Sequence, residues 1–306
     1  MNNSLTTKRA LVTGASGYIG SNLVRHLLGL GWDVHIITRT DSNLKILDSE
    51  VDAITVHQHD GTSRDMVEIL SKAKPEIIFH LASLFLAQHR TEEIEALISS
   101  NLLFSTQLVE AMTVTGAKYL VNTGTSWQHY NNEDYRPVNL YAATKQAFED
   151  ILAYYVDAHD LTATTLYLFD TYGPGDNRAK LIPLLWNAAV TQKSLSMSPG
   201  EQMIDLVHAN DVVDAFVAAA NCVQSQVSKH TRYSVSSGAP MKLREIIKSF
   251  DNASGLSVPV VFGVRPYRPR EVMCPQVNYP PVPGWKPKIS FHSGIRDYNI
   301  REPRDF

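Results

Sequence analysis

Tyr141 and Lys145 stand four positions apart in the run Tyr141-Ala142-Ala143-Thr144-Lys145, inside a segment, Leu140 to Tyr155, whose pattern predicts a helix. At that spacing a phenol and an ammonium project from one helix face. A tyrosine at its ordinary pKa of about 10 exchanges a proton poorly at neutral pH, and a neighbouring cation favours its phenolate. The pair therefore predicts proton exchange with a substrate oxygen. The spacing alone is commonplace on helix surfaces; its position in the chain, behind a second motif, gives it weight. Gly14-Ala15-Ser16-Gly17-Tyr18-Ile19-Gly20 directly follows a short apolar run and opens a helical pattern. Gly14 permits a tight turn, Gly17 lets backbone approach a pyrophosphate, and Gly20 lets the helix pack closely. Together they predict a dinucleotide held at a helix N-terminus.

These groups need strands and helices to hold them. Short apolar runs predict strands at Arg9 to Thr13, Asp33 to Thr38, Ala53 to Gln58, Glu76 to Ala82, Lys118 to Thr123 and Thr162 to Phe169. Helical patterns separate them, among them Ile19 to Leu30 and Ile94 to Met112. Strands alternating with helices imply an α/β fold, a doubly wound parallel sheet with a ligand crevice at the strands' carboxyl ends. After Asp170 the composition shifts to turn chemistry in TYGPGDNR and to shorter pieces, Pro-rich between Tyr279 and Pro287. The expected division is a dinucleotide-binding domain over residues 1–169 and a smaller, mainly substrate-binding lobe over 170–306, some segments of which return to the first domain.

An NAD site usually places a carboxylate at the end of the second strand for the ribose 2′-hydroxyl. The triplet there is Thr38-Arg39-Thr40, without an acid. A guanidinium flanked by hydroxyls suits a 2′-phosphate, so NADP (NADPH) is the expected cofactor. The bland alternative is a solvated Arg39 and an enzyme that takes either cofactor. Asp60-Gly61, after the third strand, is placed to meet the adenine, although an acid there can simply cap the next helix.

Composition narrows the partners. Hydrophobic residues at 44% and charged residues at 19% are ordinary for a globular chain, and a net charge of −3 leaves no basic footprint for nucleic acid. Cys222 and Cys274 have no CxxC spacing or histidine cluster beside them, so neither a disulfide framework nor a metal site is expected. Met1 to Lys8 is short and polar, and no apolar stretch approaches the ~20 residues of a membrane span. A soluble, cytoplasmic enzyme is the expectation.

In combination the motifs resemble the extended short-chain dehydrogenase/reductase family of nucleotide-sugar epimerases, dehydratases and ketoreductases. The resemblance runs through TGASGYIG, His80-Leu81-Ala82-Ser83, Asn101 with Ser105-Thr106, Thr123-Gly124-Thr125-Ser126 and YAATK. It continues through Phe169 to Pro174, Leu206 to Val212 and Tyr267-Arg268-Pro269-Arg270-Glu271. It implies a Rossmann-type fold and a catalytic set of Thr125, Tyr141 and Lys145, with Ser126 able to substitute for Thr125 and Thr123 pointing elsewhere. It implies a cofactor bound by Gly14, Ser16, Gly17, Tyr18, Ile19, Gly20, Arg39, Asp60, Gly61, Leu81, Ala82, Asn101, Tyr141 and Lys145. A nucleotide sugar would meet Ser83, Ser126, Trp127, Asp170, Arg178 and Arg268. The family's diphosphate-binding arginine falls on Arg268, and because Arg270 replaces the usual glycine, either guanidinium could serve. Asp170 stands where relatives usually have Asn, which leaves that contact open. Trp127, His129 and Tyr130 could pack on a sugar or only on their own loop. A homodimer through the helices near Ala96 to Met112 and Leu140 to Tyr155 is implied by the family alone.

Within the family, TSWQHYNN, NLYAATKQAFEDIL and LFDTYGPGDNR look most like the CDP-abequose and CDP-paratose synthase group. That resemblance implies an NADPH-dependent reductase of a nucleotide-linked, CDP-type 4-keto-6-deoxy or 3,6-dideoxy sugar. A nucleotide-sugar 4-epimerase would use the same triad. A 4,6-dehydratase fits less well, since its relatives carry Asp-Glu after the catalytic Thr where this chain has Ser126-Trp127. A dinucleotide-sensing regulator would have lost the Tyr–Lys pair.

Overall fold

The computed structural model describes residues 8–298 except 135 and 277, so the polar start up to residue 7 and residues 299–306 lie outside the described residues. Its strands are β1 (Arg9–Thr13), β2 (Asp33–Arg39), β3 (Ile54–His59), β4 (Ile77–His80), β5 (Tyr119–Thr125), β6 (Thr162–Leu168), β7 (Asp170–Tyr172), β8 (Leu195–Met197), β9 (Met203–Ile204), β10 (Leu206–His208), β11 (His230–Val235), β12 (Met241–Lys242) and β13 (Val260–Phe262). Seven of these form one sheet in the order β11-β6-β5-β4-β1-β2-β3, parallel at every pairing. The order reverses between β1 and β4, which opens a crevice above their carboxyl ends, the usual place for a ligand in such sheets.

The helices are α1 (Tyr18–Gly29), α2 (Ser63–Ala73), α3 (Ile94–Ile98), α4 (Phe104–Thr115), α5 (Leu140–His159), α6 (Leu181–Thr191), α7 (Ala209–Val223), α8 (Leu243–Ser254) and α9 (Phe291–Arg296). Both sheet faces are covered, which is why the strands read as apolar runs rather than as alternations. Ala10, Val12, Phe79 and Val121 join Leu23 and Leu27 of α1 and Val212 and Phe216 of α7 on one face. Leu11, Ile78 and Leu120 meet Met66, Leu108, Phe148 and Leu152 of α2, α4 and α5 on the other. A third core, around Tyr172, Ile182, Trp186, Ile246, Phe250 and Ile295, holds the short elements beyond β6 together.

The six strands expected from the sequence are present with ends moved by one or two residues. The seventh, β11, comes from the C-terminal half and pairs with β6 at the sheet edge. Only Ser234 and Val235 of its six residues are buried, so it carries no apolar run to announce it. The helix expected from Ile94 to Met112 is interrupted: α3 and α4 are joined by a π-helical turn, Ser99–Leu103, that contains Asn101. Such turns concentrate at functional sites because they redirect one side chain.

Candidate active site

The glycine turn is built for close approach. Gly14 has φ +74°, and a Cβ there would lie 2.6 Å from the amide nitrogen of Ala82 and 2.7 Å from the carbonyl carbon of Leu81. A Cβ on Gly20 would lie 2.1 Å from the Gly14 carbonyl oxygen, so only glycine lets α1 start this near the turn. A Cβ on Gly17 would meet that oxygen alone, at 3.2 Å, and both Ser16 and Gly17 are exposed. No side chain caps the start of α1, which leaves its first N–H groups facing outward. This cradle fits a pyrophosphate. Tyr18 turns the other way: its buried ring lies 4.6 Å from the Arg178 guanidinium and its hydroxyl 3.4 Å from the Pro174 carbonyl. Ile19 packs on the core beneath. Tyr18 and Ile19 thus offer the cradle backbone rather than side chain.

Behind the cradle, His80 at the end of β4 is fully buried, bonded through Nδ1 to Thr13 Oγ1 (2.8 Å) and through Nε2 to Ser105 Oγ (2.9 Å). Burial pushes its pKa down to about 3, so the imidazole is a neutral latch between β1, β4 and α4. Thr13 Oγ1 also accepts from the Ala82 amide at 3.2 Å, which fixes the chain where it leaves β4.

At the end of β2 the Arg39 side chain is 75% exposed, and its Nε lies 3.4 Å from Asp41 Oδ1. The acid absent from Thr38-Arg39-Thr40 is therefore supplied one residue later. Thr38 does not flank the guanidinium, because it is buried with its hydroxyl 3.5 Å from the His57 carbonyl. Asp60 is exposed, and its Oδ1 accepts from the Thr62 amide at 2.8 Å ahead of α2. Gly61 has φ +95° and its carbonyl accepts from Gln107 at 2.8 Å. His59, Asp60 and Asp65 could converge on a cation, but His59 already faces Asp65 (3.0 Å) and Gln107 (3.4 Å) through its two nitrogens.

The reacting groups come from α5 and the ends of β4 and β5. Asn139 caps α5 by accepting from the Ala142 amide at 2.9 Å, which places Tyr141 in the first turn. Asn101, 2% exposed, accepts from the Leu84 amide (2.7 Å) and the Ser83 hydroxyl (3.2 Å) and donates to Thr144 Oγ1 (3.0 Å). It therefore ties the loop after β4 to the turn of α5 between Tyr141 and Lys145, a structural contact that the sequence did not disclose. Ser83 hydrogen-bonds the Tyr141 phenol, and Phe85 meets its ring edge-on at 4.9 Å. Burial alone lowers Lys145 to about 8. It also pushes Tyr141 up to about 12, with Ser83 acting weakly against it. Burial is the larger influence on the phenol, and Lys145 is not among the groups that shift it. Thr125 is the last residue of β5, and its Oγ accepts from the Trp127 amide at 3.3 Å. That leaves the hydroxyl hydrogen to donate elsewhere. Thr123, two residues earlier, shares the Thr125 face of the strand rather than pointing elsewhere, and its buried hydroxyl has no partner.

A cavity of about 1270 Å³ opens beside these groups, lined among others by Phe85, Ser126, Trp127, Asp170, Lys180, Arg268 and Arg270. Phe85 bridges Tyr141 to Trp127, its ring centre lying 5.7 Å from that of Trp127. Lys180, which sequence reading missed, sits 3.9 Å from the centre of the Phe85 ring and 3.5 Å from Asp170. Arg268 lies over Trp127 at 5.9 Å. Arg270 lies over Tyr130 at 4.7 Å, with Nε and Nη2 buried and unpartnered. Arg178 is placed differently from expectation. Its guanidinium grips Asp176 at 2.7 and 2.8 Å and the Thr171 carbonyl at 2.9 Å, away from the cavity lining. It braces the TYGPGDNR turn against Tyr18 instead of facing a substrate.

The chain is 28% identical over 295 residues to CDP-abequose synthase of Salmonella typhimurium, covering 94% of this chain and 96% of that one. It is equally 28% identical over 305 residues to UDP-glucose 4-epimerase of Mycolicibacterium smegmatis, with the same coverage. The fold matches UDP-glucose 4-epimerase from Stenotrophomonas maltophila, solved with NAD and formylated UDP-arabinopyranose, at a TM-score of 0.83 and 21% identity over 95% of this chain and 96% of that one. No helix among the described residues is long and apolar enough to cross a membrane. Residues 10–235 match the model of the NAD dependent epimerase/dehydratase family, and the chain belongs to that family of pyridine-nucleotide-dependent enzymes.

Proposed function

We propose that the chain is an NADPH-dependent reductase of the 4-keto group of a CDP-linked 4-keto-6-deoxy or 3,6-dideoxy sugar. The observation that carries this reading is the exposed Arg39 guanidinium at the end of β2, placed for the 2′-phosphate of the NADPH that a net reduction consumes. In the reduction Tyr141 is the proton donor at the carbonyl oxygen. Similarity to CDP-abequose synthase over 94% of the chain supports the substrate class. Arg39 supports a 2′-phosphate.

The Gly14, Gly17 and Gly20 turn, with Ser16 and the backbone of Tyr18 and Ile19, would hold the pyrophosphate. Arg39, Asp60 and Gly61 would hold the adenosine end, and Leu81, Ala82 and Lys145 the nicotinamide end, with Asn101 bracing the loop behind them rather than touching the cofactor. When bound, the reduced nicotinamide supplies the hydride. Thr125 donates its free hydroxyl hydrogen to the sugar carbonyl, and Tyr141 passes its proton to the same oxygen. Ser83, Ser126, Trp127, Asp170 and Arg268 would orient the sugar nucleotide, Arg268 beside its diphosphate. A nucleotide-sugar 4-epimerase is the second reading, favoured by the equal similarity to UDP-glucose 4-epimerase and by Asp41 beside Arg39.

The test is stoichiometric. With a CDP-linked 4-keto-6-deoxy sugar, one NADPH should disappear per sugar alcohol formed; interconversion of two saturated sugar nucleotides with no net change in NADPH sinks the reductase reading. A cytoplasmic location is part of the same proposal. A homodimer is proposed through the faces of α4, the π-helical turn before it and α5, where Val114, Leu103 and Tyr154 are exposed at 59, 52 and 59%; light scattering showing a monomer would remove it.

A further inference from the structure

We propose that Gln128, seated on Glu149 and Arg232, is the positioning residue that sets Thr125 against the helix carrying Tyr141 and Lys145. The proposal rests on the reading of Thr125 as the group that polarises the carbonyl. Thr125 and the Tyr–Lys pair come from different elements, β5 and α5, so something must fix one relative to the other.

Gln128 makes that connection. It is fully buried, at 0% exposure, and its Oε1 accepts from the Thr125 amide at 2.9 Å. Its Nε2 donates to Gln146 Oε1 and Glu149 Oε2, each at 3.1 Å, both on α5. Glu149 is a carboxylate and can only accept, whereas the Thr125 amide can only donate, so the side-chain amide of Gln128 has a single satisfactory orientation. Glu149, 2% exposed, is held in turn by the Tyr167 hydroxyl at 2.7 Å and by Arg232 Nε. Arg232 belongs to β11, the edge strand contributed by the second half of the chain.

Gly124 shows that the arrangement is close-packed. A Cβ at this position would lie 2.9 Å from the Tyr167 ring and 3.0 Å from Gln128 Oε1, so any larger residue would push both off the strand end. A buried carboxylate is a poor way to stabilise a core, since apolar replacements of buried ion pairs are often neutral or better. Its value here is geometric: Glu149 lies one helical turn beyond Lys145 on α5 and passes the position of that helix to the Thr125 backbone. With its amide held by Gln128 and one Oγ lone pair taken by the Trp127 amide, Thr125 is oriented with its hydroxyl hydrogen still free to donate.

The experiment uses the full chain, NADPH and a CDP-linked 4-keto-6-deoxy sugar. Gln128→Met removes both hydrogen-bonding ends at similar length and should lower kcat about tenfold, within the range that small misplacements of reacting groups produce. KM for the sugar nucleotide and Kd for NADPH should stay within about twofold of wild type, a split that general loss of structure would not give. In a Thr125→Val background the same change should cost less than about twofold further, because residues acting as one unit are not additive. Glu149→Gln is the isosteric second probe. It leaves one of the three donors around it without an acceptor and should lower kcat several-fold at unchanged KM, again only when Thr125 is present. A slow Thr125→Val enzyme beside Gln128→Met and Glu149→Gln enzymes of wild-type speed overturns this proposal alone. A Thr125→Val enzyme as fast as wild type overturns the reading of Thr125 and this proposal with it.

Discussion

Replacing Lys145 by Met should stabilise the cofactor-free protein while abolishing its turnover. Lys145 is 4% exposed, and burial is the sole cause acting on its ammonium, lowering it from 10.5 to about 8. At ~1.4 kcal/mol per pH unit, the cost of holding the charge in the fold is on the order of 3 kcal/mol. Methionine fills similar length without a charge. The sign follows from proton counts. Below about pH 8 both states are protonated and the folded wild type bears the full cost. Between about 8 and 10.5 the unfolded chain holds more protons than the folded one, so wild-type stability rises with pH across that window. Urea unfolding of wild type and Lys145→Met at pH 7 and pH 10 reads this directly. The variant should be more stable by roughly 2–3 kcal/mol at the lower pH, with the advantage shrinking at the higher. A variant less stable than wild type at pH 7 would mean that the ammonium is well paired in the folded protein and that the reasoning from burial is wrong.

Tyr141→Phe should lower kcat by about 100-fold or more, the usual scale of a lost general acid, and leave NADPH affinity nearly unchanged. Unaltered turnover in folded protein would remove Tyr141 from the mechanism. Arg39→Asp should reverse a preference for NADPH over NADH of roughly ten- to a hundred-fold in kcat/KM, the worth of one charge-assisted contact. Equal wild-type values for the two cofactors would make Arg39 a surface charge. Arg178→Met deprives the fully buried Asp176 carboxylate of its bidentate guanidinium partner and should cost roughly 3 kcal/mol in urea unfolding. A variant of normal stability but with raised KM for the sugar nucleotide would return Arg178 to the substrate site.

What could be read from the sequence is what depends on neighbours along the chain. The glycine turn, the six strands and the Tyr141–Lys145 spacing are set by short periodicities and by residues that only one backbone geometry accommodates. Contacts across the fold left no such mark. Lys180 gains its place from the ring of Phe85, far back in the chain, and Gln128 from Glu149 and Arg232 on two other elements. The family resemblance put Arg178 among the substrate contacts, but its grip on Asp176 and its stacking on Tyr18 are visible only once the loop folds back on α1. The direction in which Tyr141 is shifted was misjudged for the same reason. Sequence shows the cation four residues away and not the burial that outweighs it.

The ribose end shows how a single added residue changes an argument from motif alone. Arg39 and Asp41 form a pair with both side chains 75% exposed, and such pairs contribute only about 0–1 kcal/mol. A 2′-phosphate offers Arg39 a stronger, charge-assisted contact of roughly 1.5–3 kcal/mol, enough to displace Asp41. A 2′-hydroxyl offers Arg39 little but gives Asp41 a donor, the interaction that carboxylates at this position make with NAD. The strand end therefore has a partner for either cofactor, and the balance rests on the difference between two exposed contacts. The proposed reading puts that difference in favour of NADPH, the cofactor whose reduced form a net reductase consumes on every turnover. An epimerase gains nothing from it, since it returns its hydride to the same sugar.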